Sequence, residues 1–78
     1  MSFRIGDSVI CNGFYIASHR DKKGKVIAID TKYSKIKPFY AIEFEEDIQK
    51  GHSLEGLLDS ESKRGFYLPF DDLRKLPE

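Results

Sequence analysis

The clearest structural signal in the chain is the segment Phe39-Tyr40-Ala41-Ile42-Glu43-Phe44. Its even-numbered residues are all apolar or aromatic and face one way, while its odd-numbered residues face the other. A period of two is typical of a β-strand with one buried face. We therefore predict a central strand over residues 39–44, with Tyr40, Phe44 and the later Phe66 in the core.

Short strand-like runs lie on both sides of this segment. Four further strands are predicted at Ser8–Cys11, Lys25–Asp30, Gly65–Pro69 and Leu73–Leu76. Asn12-Gly13 is typical of a tight hairpin, so Phe14–Ala17 is either the return strand or an ordered loop folded onto the sheet. The polar residues 18–24 are expected to form an exposed turn.

Five short strands in 78 residues leave room for one domain, spanning residues 1–78. No 11-residue window has convincing helical periodicity. The fold class is therefore predicted to be all-β, a small five-stranded antiparallel barrel, because closing the sheet removes most unpaired edges.

Composition narrows the class of protein. The chain is 40% apolar and 33% charged, which is typical of a folded domain. It lacks a long apolar run and a signal peptide at its start, so we expect a cytoplasmic location and no membrane partner. One cysteine and two histidines offer neither an internal disulfide nor a zinc cluster, and no cofactor or metal is expected.

Several motifs resemble SH3-like barrels of the Tudor and KOW kind. Phe3–Val9 is similar to their opening Gly-Asp turn and first strand, and Gly24–Asp30 and Tyr40–Phe44 are similar to their second and third strands. Phe66–Leu73 resembles the strand, short 3₁₀ turn and final strand that close such folds. Ile48–Gly56 resembles a Gly-His loop of small bacterial and phage SH3-like proteins. The resemblance implies an SH3-like barrel with a 3₁₀ turn before the last strand. It also implies a bacterial or phage-encoded protein, which would act in the host cytoplasm in the second case.

Three residues invite a chemical interpretation and are better explained by structure. His52 lies between Gly51 and Gly56, which oppose a helix, so we expect it to hold its loop through hydrogen bonds to backbone carbonyls. His19 falls in the polar turn and is expected to be solvated. Cys11 is expected to be a small buried hydrophobe. No catalytic residues are predicted, and an enzyme or metal-binding protein is a remote alternative.

Aromatic residues are more numerous than a core of this size needs. Four of them fall outside the predicted core face, and exposed rings on a rigid scaffold favour binding. Tyr33 and Phe39 lie close to Lys32, Lys35 and Lys37 in the basic loop 31–37. The predicted binding residues are Tyr15, Tyr33, Lys35, Lys37, Phe39 and Tyr67.

Charge is balanced overall but sorted along the chain. Residues 1–40 hold eight basic and three acidic residues, a net charge of +5, and residues 41–78 hold five basic and ten acidic residues, a net charge of −5. Interleaved strands would neutralise the two halves in space. The acidic run Glu43, Glu45, Glu46 and Asp47 is predicted to form a patch that suits a basic partner.

These patterns favour a non-enzymatic accessory or regulatory protein, a monomer or weak homodimer, that binds a protein partner whose surface also carries both signs. The alternative is an RNA- or single-stranded-DNA-binding module. In that case Tyr33 and Phe39 would stack on bases while the lysines of the 31–37 loop neutralise phosphates.

Overall fold

A computed structural model describes residues 3–76, so residues 1, 2, 77 and 78 of the predicted domain lie outside the described part. The described residues form five strands and two 3₁₀ turns, which confirms the predicted all-β class. The strands are β1 (Ser8–Cys11), β2 (Lys23–Asp30), β3 (Phe39–Phe44), β4 (Gly65–Pro69) and β5 (Leu73–Lys75). The turns are Ala17–His19 and Phe70–Asp72, and we call the second the closing turn. No helix in residues 3–76 has the length and apolar character needed to cross a membrane.

All five strands lie in one antiparallel sheet in the order β4-β3-β2-β1-β5, so β3 is an interior strand as predicted. β2 begins at Lys23, earlier than predicted, and pairs with both β1 and β3. The register shifts between Val26 and Ala28. Such a bulge bends a strand and increases its twist, so one long strand serves two differently directed parts of the sheet.

The core receives side chains from all five strands. Its buried residues are Phe3, Val9, Cys11, Val26, Tyr40, Ile42, Phe44, Ile48, Leu68 and Leu73. Phe66 and Phe70 are partly buried and pack against them. The Phe3 ring meets the Tyr40 ring edge-on, with 5.3 Å between the ring centroids, and stacks on the Phe70 ring, with 4.9 Å between the centroids. The alternation of residues 39–44 therefore identified the core face, and Cys11 is buried as predicted.

The predicted closure of the sheet is wrong. β4 and β5 form the two edges of the sheet and are not paired with each other. Within residues 3–76, β4 pairs with β3, and the three-residue strand β5 pairs with β1. The closing turn nevertheless joins these edges directly. The four residue steps from Pro69 to Leu73 span at most about 14 Å. The end of β4 therefore lies within that distance of the start of β5, and the sheet must curl to bring them together.

The predicted Asn12-Gly13 hairpin is also wrong, and the ordered-loop alternative holds. Residues 12–22, which we call the β1–β2 loop, join the first two strands. The Asn12 amide donates to the Asp72 carbonyl at 2.8 Å, so the chain that leaves β1 crosses to the closing turn instead of turning back on itself. Gly13 has a φ of +79°, and a Cβ there would lie 2.6 Å from that of Arg20. The returning chain thus requires a glycine.

His19 is fully buried, which corrects the expectation that it is solvated. Its ring meets Phe66 edge-on at 5.0 Å, and Nε2–H donates to the Gln49 carbonyl at 2.6 Å. Within residues 3–76, Nδ1 has no hydrogen-bond partner. The polar sequence around His19 concealed its position, because the 3₁₀ turn directs this one side chain inward while Ser18 and Arg20 stay exposed.

A candidate binding surface around the 31–38 loop

Residues 31–38 connect β2 to β3, and we call them the 31–38 loop. Two side chains order it locally. Asp30 Oδ1 accepts the Lys32 amide at 2.9 Å, while Ser34 Oγ accepts the amides of Ile36 and Lys37 at 3.2 and 3.0 Å. The side chains of Tyr33 and Ile36 are 83% and 90% exposed. An ordered loop therefore presents two large apolar groups to solvent.

Strand pairing brings further aromatic rings to this loop. Phe39 lies opposite Pro69, and Ala41 lies opposite Tyr67, so Phe39 and Tyr67 occupy diagonal positions on the outer face of the sheet, where side chains are close enough to interact. With the loop they line a depression of about 220 Å³, which we call the aromatic pocket. Its lining residues are Asp30, Lys32, Tyr33, Phe39, Glu55 and Tyr67.

The aromatic pocket also holds charge. Lys32 Nζ lies 3.8 Å from Glu55 Oε2, in an exposed ion pair. Burial, together with the carboxylates of Glu55 and Asp30, raises the pKa of the Tyr67 phenol, and Lys32 partly opposes this. The two carboxylates and one ammonium leave the pocket with a net charge of −1.

A second depression, of about 300 Å³, lies between the 31–38 loop and the closing turn, and we call it the closing-turn groove. Pairing of Phe39 with Pro69 places the loop and the closing turn at the same end of the sheet. The groove contains both predicted lysines beside apolar side chains. Its lining residues are Lys35, Ile36, Lys37, Pro38, Tyr40, Pro69, Phe70 and Asp71.

Tyr15 lies apart from both depressions, on the β1–β2 loop, with its side chain 62% exposed beside the equally prominent Phe14 at 73%. Asp72 holds this stretch: its buried carboxylate accepts the Phe14 amide at 2.8 Å and the Tyr15 amide at 3.4 Å. The six predicted binding residues therefore divide into Tyr33, Phe39 and Tyr67 in the pocket, Lys35 and Lys37 in the groove, and Tyr15 on a separate loop.

The four acidic residues predicted as one patch border two different depressions. Glu43 and Asp47 line one with residues 56–64, while Glu45 and Glu46 line another with residues 21–23. Asp47 pairs with Arg64 at 3.7 Å and Glu46 pairs with Lys22 at 2.5 Å.

The structure also brings together charges that are separated along the sequence. Of the five ion pairs among residues 3–76, four join a residue of the basic half of the chain to one of the acidic half. In two of these pairs, Lys22–Glu46 and Lys32–Glu55, a base of the basic half meets an acid of the acidic half, so the charge sorting along the sequence is partly neutralised in space.

The loop that carries Glu55 lies against β4. The backbones of His52 and Gly65 exchange hydrogen bonds of 2.9 and 3.0 Å, and the His52 Nδ1 accepts the Leu54 amide at 3.0 Å, where carbonyl contacts were expected. Gly51 allows the close approach: a Cβ there would lie 1.8 Å from the Lys63 carbonyl oxygen. Gly56 then turns the chain away with a φ of +99°.

Several residues of this surface were not predicted from sequence, among them Ile36, Asp30 and Glu55. Ile36 had a usable signal, since it is an aliphatic residue between two lysines, Lys35 and Lys37, in a predicted loop. Glu55 had no such signal, because the pairing of His52 with Gly65 is what brings it to the pocket. In the described part of the chain, no three His, Cys, Asp or Glu side chains are grouped as metal ligands. Comparisons with protein-family models, curated proteins and solved structures find no match to this chain.

Proposed function

We propose that this chain is a non-enzymatic binding module that holds a protein partner against the 31–38 loop and the two depressions beside it. The observation that carries the proposal is the exposure of Tyr33 and Ile36 on a loop that Asp30 and Ser34 already order. A preordered loop loses little conformational entropy on binding. Large apolar side chains on such a loop supply contact area at low cost.

The charges around these groups favour a protein partner. Lys35 and Lys37 border the closing-turn groove together with Asp71, and Asp30 and Glu55 border the aromatic pocket. Both signs therefore occur within one surface, and protein partners provide matching charges of both signs. A nucleic acid, by contrast, would bring its phosphates close to three carboxylates.

An accessory or regulatory role fits a small module that acts by occupying part of a larger protein. The proposal has three further parts, which are inferred from the sequence. They are a source in a phage, action in a host cytoplasm, and a monomeric or weakly dimeric state.

A quantitative capture experiment tests the proposal. The tagged wild-type chain and a Tyr33→Ser/Ile36→Ser variant are incubated with lysate of the source cells, and captured proteins are quantified by mass spectrometry. Leu57→Ser is the matched control, because Leu57 is 54% exposed but lies outside both depressions. We expect a partner that wild type and the control retain and the double variant loses. Equal capture by all three chains would contradict the proposal.

The nucleic-acid alternative rests on Lys35 and Lys37, which stand near exposed aromatic residues. Its test is a gel shift with single-stranded oligonucleotides across a series of salt concentrations. A Lys35→Glu/Lys37→Glu variant is compared with Lys50→Glu/Lys63→Glu, which changes charge equally on another surface. A salt-sensitive shift that only the first variant abolishes would replace the protein-binding proposal.

A further inference from the structure

We propose that the aromatic pocket receives an arginine side chain of the partner, which displaces the chain's own Lys32 from Glu55. This inference rests on the proposed function and names the chemistry of one contact within it. It follows from three properties of the pocket: its rings, its carboxylates and the cation already present.

The rings provide the apolar walls. Tyr33, Phe39 and Tyr67 all line one depression, and Phe39 and Tyr67 are half-buried on paired strands. The paired strands hold Phe39 and Tyr67 in place, and Tyr33 extends beside them from the ordered 31–38 loop. A cation within about 6 Å of an aromatic face is attracted by the ring quadrupole, and no comparable attraction exists for an anion.

The carboxylates set the sign of the ligand. Asp30 and Glu55 enter from two different segments, and only Lys32 opposes them. The raised pKa of Tyr67, caused by burial and then by these two carboxylates, is consistent with a negative local potential. An acidic side chain would add negative charge beside these two carboxylates and would be repelled.

Lys32 occupies the place that a ligand cation would take. Its ammonium lies 3.8 Å from Glu55, yet the two side chains are 73% and 70% exposed, and such exposed pairs are weak. A guanidinium is planar, less strongly hydrated than an ammonium, and forms paired hydrogen bonds with carboxylates while stacking on rings. An arginine is therefore expected to displace Lys32, whereas a second lysine gains little over it.

Titration of the full chain with capped tripeptides tests the inference. Acetyl-Gly-Arg-Gly-amide and its lysine, glutamine and glutamate counterparts are added while the ring resonances of Tyr33, Phe39 and Tyr67 are followed by NMR. We expect the arginine peptide to bind with a dissociation constant on the order of millimolar and to bind more tightly than the lysine peptide. Added salt should weaken it.

Two variants with exposed side chains sharpen the test. Glu55→Gln should weaken the arginine peptide about fivefold, and Lys32→Met should tighten it about fivefold, because the first removes an attraction and the second a competitor. Unchanged backbone amide spectra away from the pocket show that each variant is folded. Lys75→Met, on β5, is the charge-matched control for Lys32→Met and should leave the affinity unchanged.

Each contrary result overturns the inference. Equal binding of the arginine and lysine peptides contradicts the claim that the pocket prefers a guanidinium. Preference for the glutamine or glutamate peptide contradicts the claim that its ligand is a cation. Absence of ring shifts with the arginine peptide contradicts the pocket as its site. The capture experiment is separate: if Tyr33→Ser/Ile36→Ser still loses the partner while the peptide fails, the surface stands and only its ligand is wrong. If the peptide binds but the capture is unaffected, the proposed function fails.

Discussion

The β1–β2 loop and the 31–38 loop each join two consecutive antiparallel strands, but different forces hold them. Buried polar groups fix the first: Asp72 accepts the amides of Phe14 and Tyr15, and His19 enters the interior. The 31–38 loop is held by local hydrogen bonds to Asp30 and Ser34 and by the exposed ion pair of Lys32 with Glu55, and it turns its apolar side chains outward.

The difference separates stability from binding. The carboxylate of Asp72 and the imidazole of His19 are buried and hydrogen-bond to backbone groups. A substitution there leaves buried backbone groups without a partner, so it should lower the stability of the fold. An exposed isoleucine contributes little to folding, so its substitution should affect only what touches it. The predictions that follow compare the two loops on this basis.

The largest effect is expected at Asp72. Asp72→Ala removes the acceptor of the Phe14 and Tyr15 amides and of the Cys11 thiol, whose Sγ lies 3.8 Å away. Loss of hydrogen bonds to a buried charge should lower the free energy of unfolding by about 3 kcal/mol. Urea unfolding followed by circular dichroism measures this. Asp71→Ala, on the exposed neighbour, should cost less than about 0.5 kcal/mol, and equal losses would contradict the role of Asp72.

His19→Ala should have the next largest effect, a loss of about 2 kcal/mol in the free energy of unfolding. The imidazole fills space beside Phe66 and Phe44 and donates to the Gln49 carbonyl. The same urea unfolding applies. Ser18→Ala is its control, since Ser18 is exposed and reaches only the Gln49 side chain. A stability of His19→Ala within error of that control would show that the ring does not pack as described.

Alkaline pH probes the same buried region through Cys11. Burial, aided by the nearby charge of Asp72, raises the pKa of the Cys11 thiol above its ordinary value of 9.0. Above about pH 9 the unfolded chain therefore loses this proton before the folded chain does, and stability falls as pH rises. One proton limits the slope to about 1.4 kcal/mol per pH unit. Urea unfolding at several pH values from 8 to 10 should show that the free energy of unfolding of the wild type falls more steeply than that of Cys11→Ala. Equal slopes for the two proteins would contradict the raised pKa of Cys11.

The smallest effect on folding is expected in the 31–38 loop. Ile36→Ser should change the free energy of unfolding by less than about 0.5 kcal/mol, because the side chain is 90% exposed. Urea unfolding checks this against Ile42→Ser, which places a hydroxyl in the core and should be strongly destabilising. A large loss at Ile36 would mean that this side chain supports the fold and would remove the basis for a binding role.

Local pattern was enough to predict much of the fold but only part of the surface. The alternation of Phe39–Phe44 identified a strand and its buried face, and Phe70–Asp72 forms the predicted turn. Asn12-Gly13 has the local chemistry of a hairpin, yet the hydrogen bond from Asn12 to the closing turn overrides it. Such contacts join residues 60 positions apart (Asn12 to Asp72), and no local pattern contains them.

The same limit applies to the candidate surface. The sequence pattern places Tyr33, Phe39 and Tyr67 outside the predicted core, but strand pairing is what brings them together in one pocket. Glu55 reaches them only because Gly51 and Gly65 let its loop lie against the sheet. His19 and Asp72 resembled ordinary turn residues, since burial of a polar side chain depends on partners that are distant in sequence.

The most direct test of the central claim is site-specific photocrosslinking. Benzoylphenylalanine replaces Tyr33 in one chain and Leu57 in another, and both chains are irradiated in lysate of the source cells. We predict that the partner crosslinks covalently to the chain labelled at position 33 and not to the chain labelled at position 57. Crosslinking at position 57 alone, or a captured partner that never crosslinks at position 33, would contradict binding at the 31–38 loop.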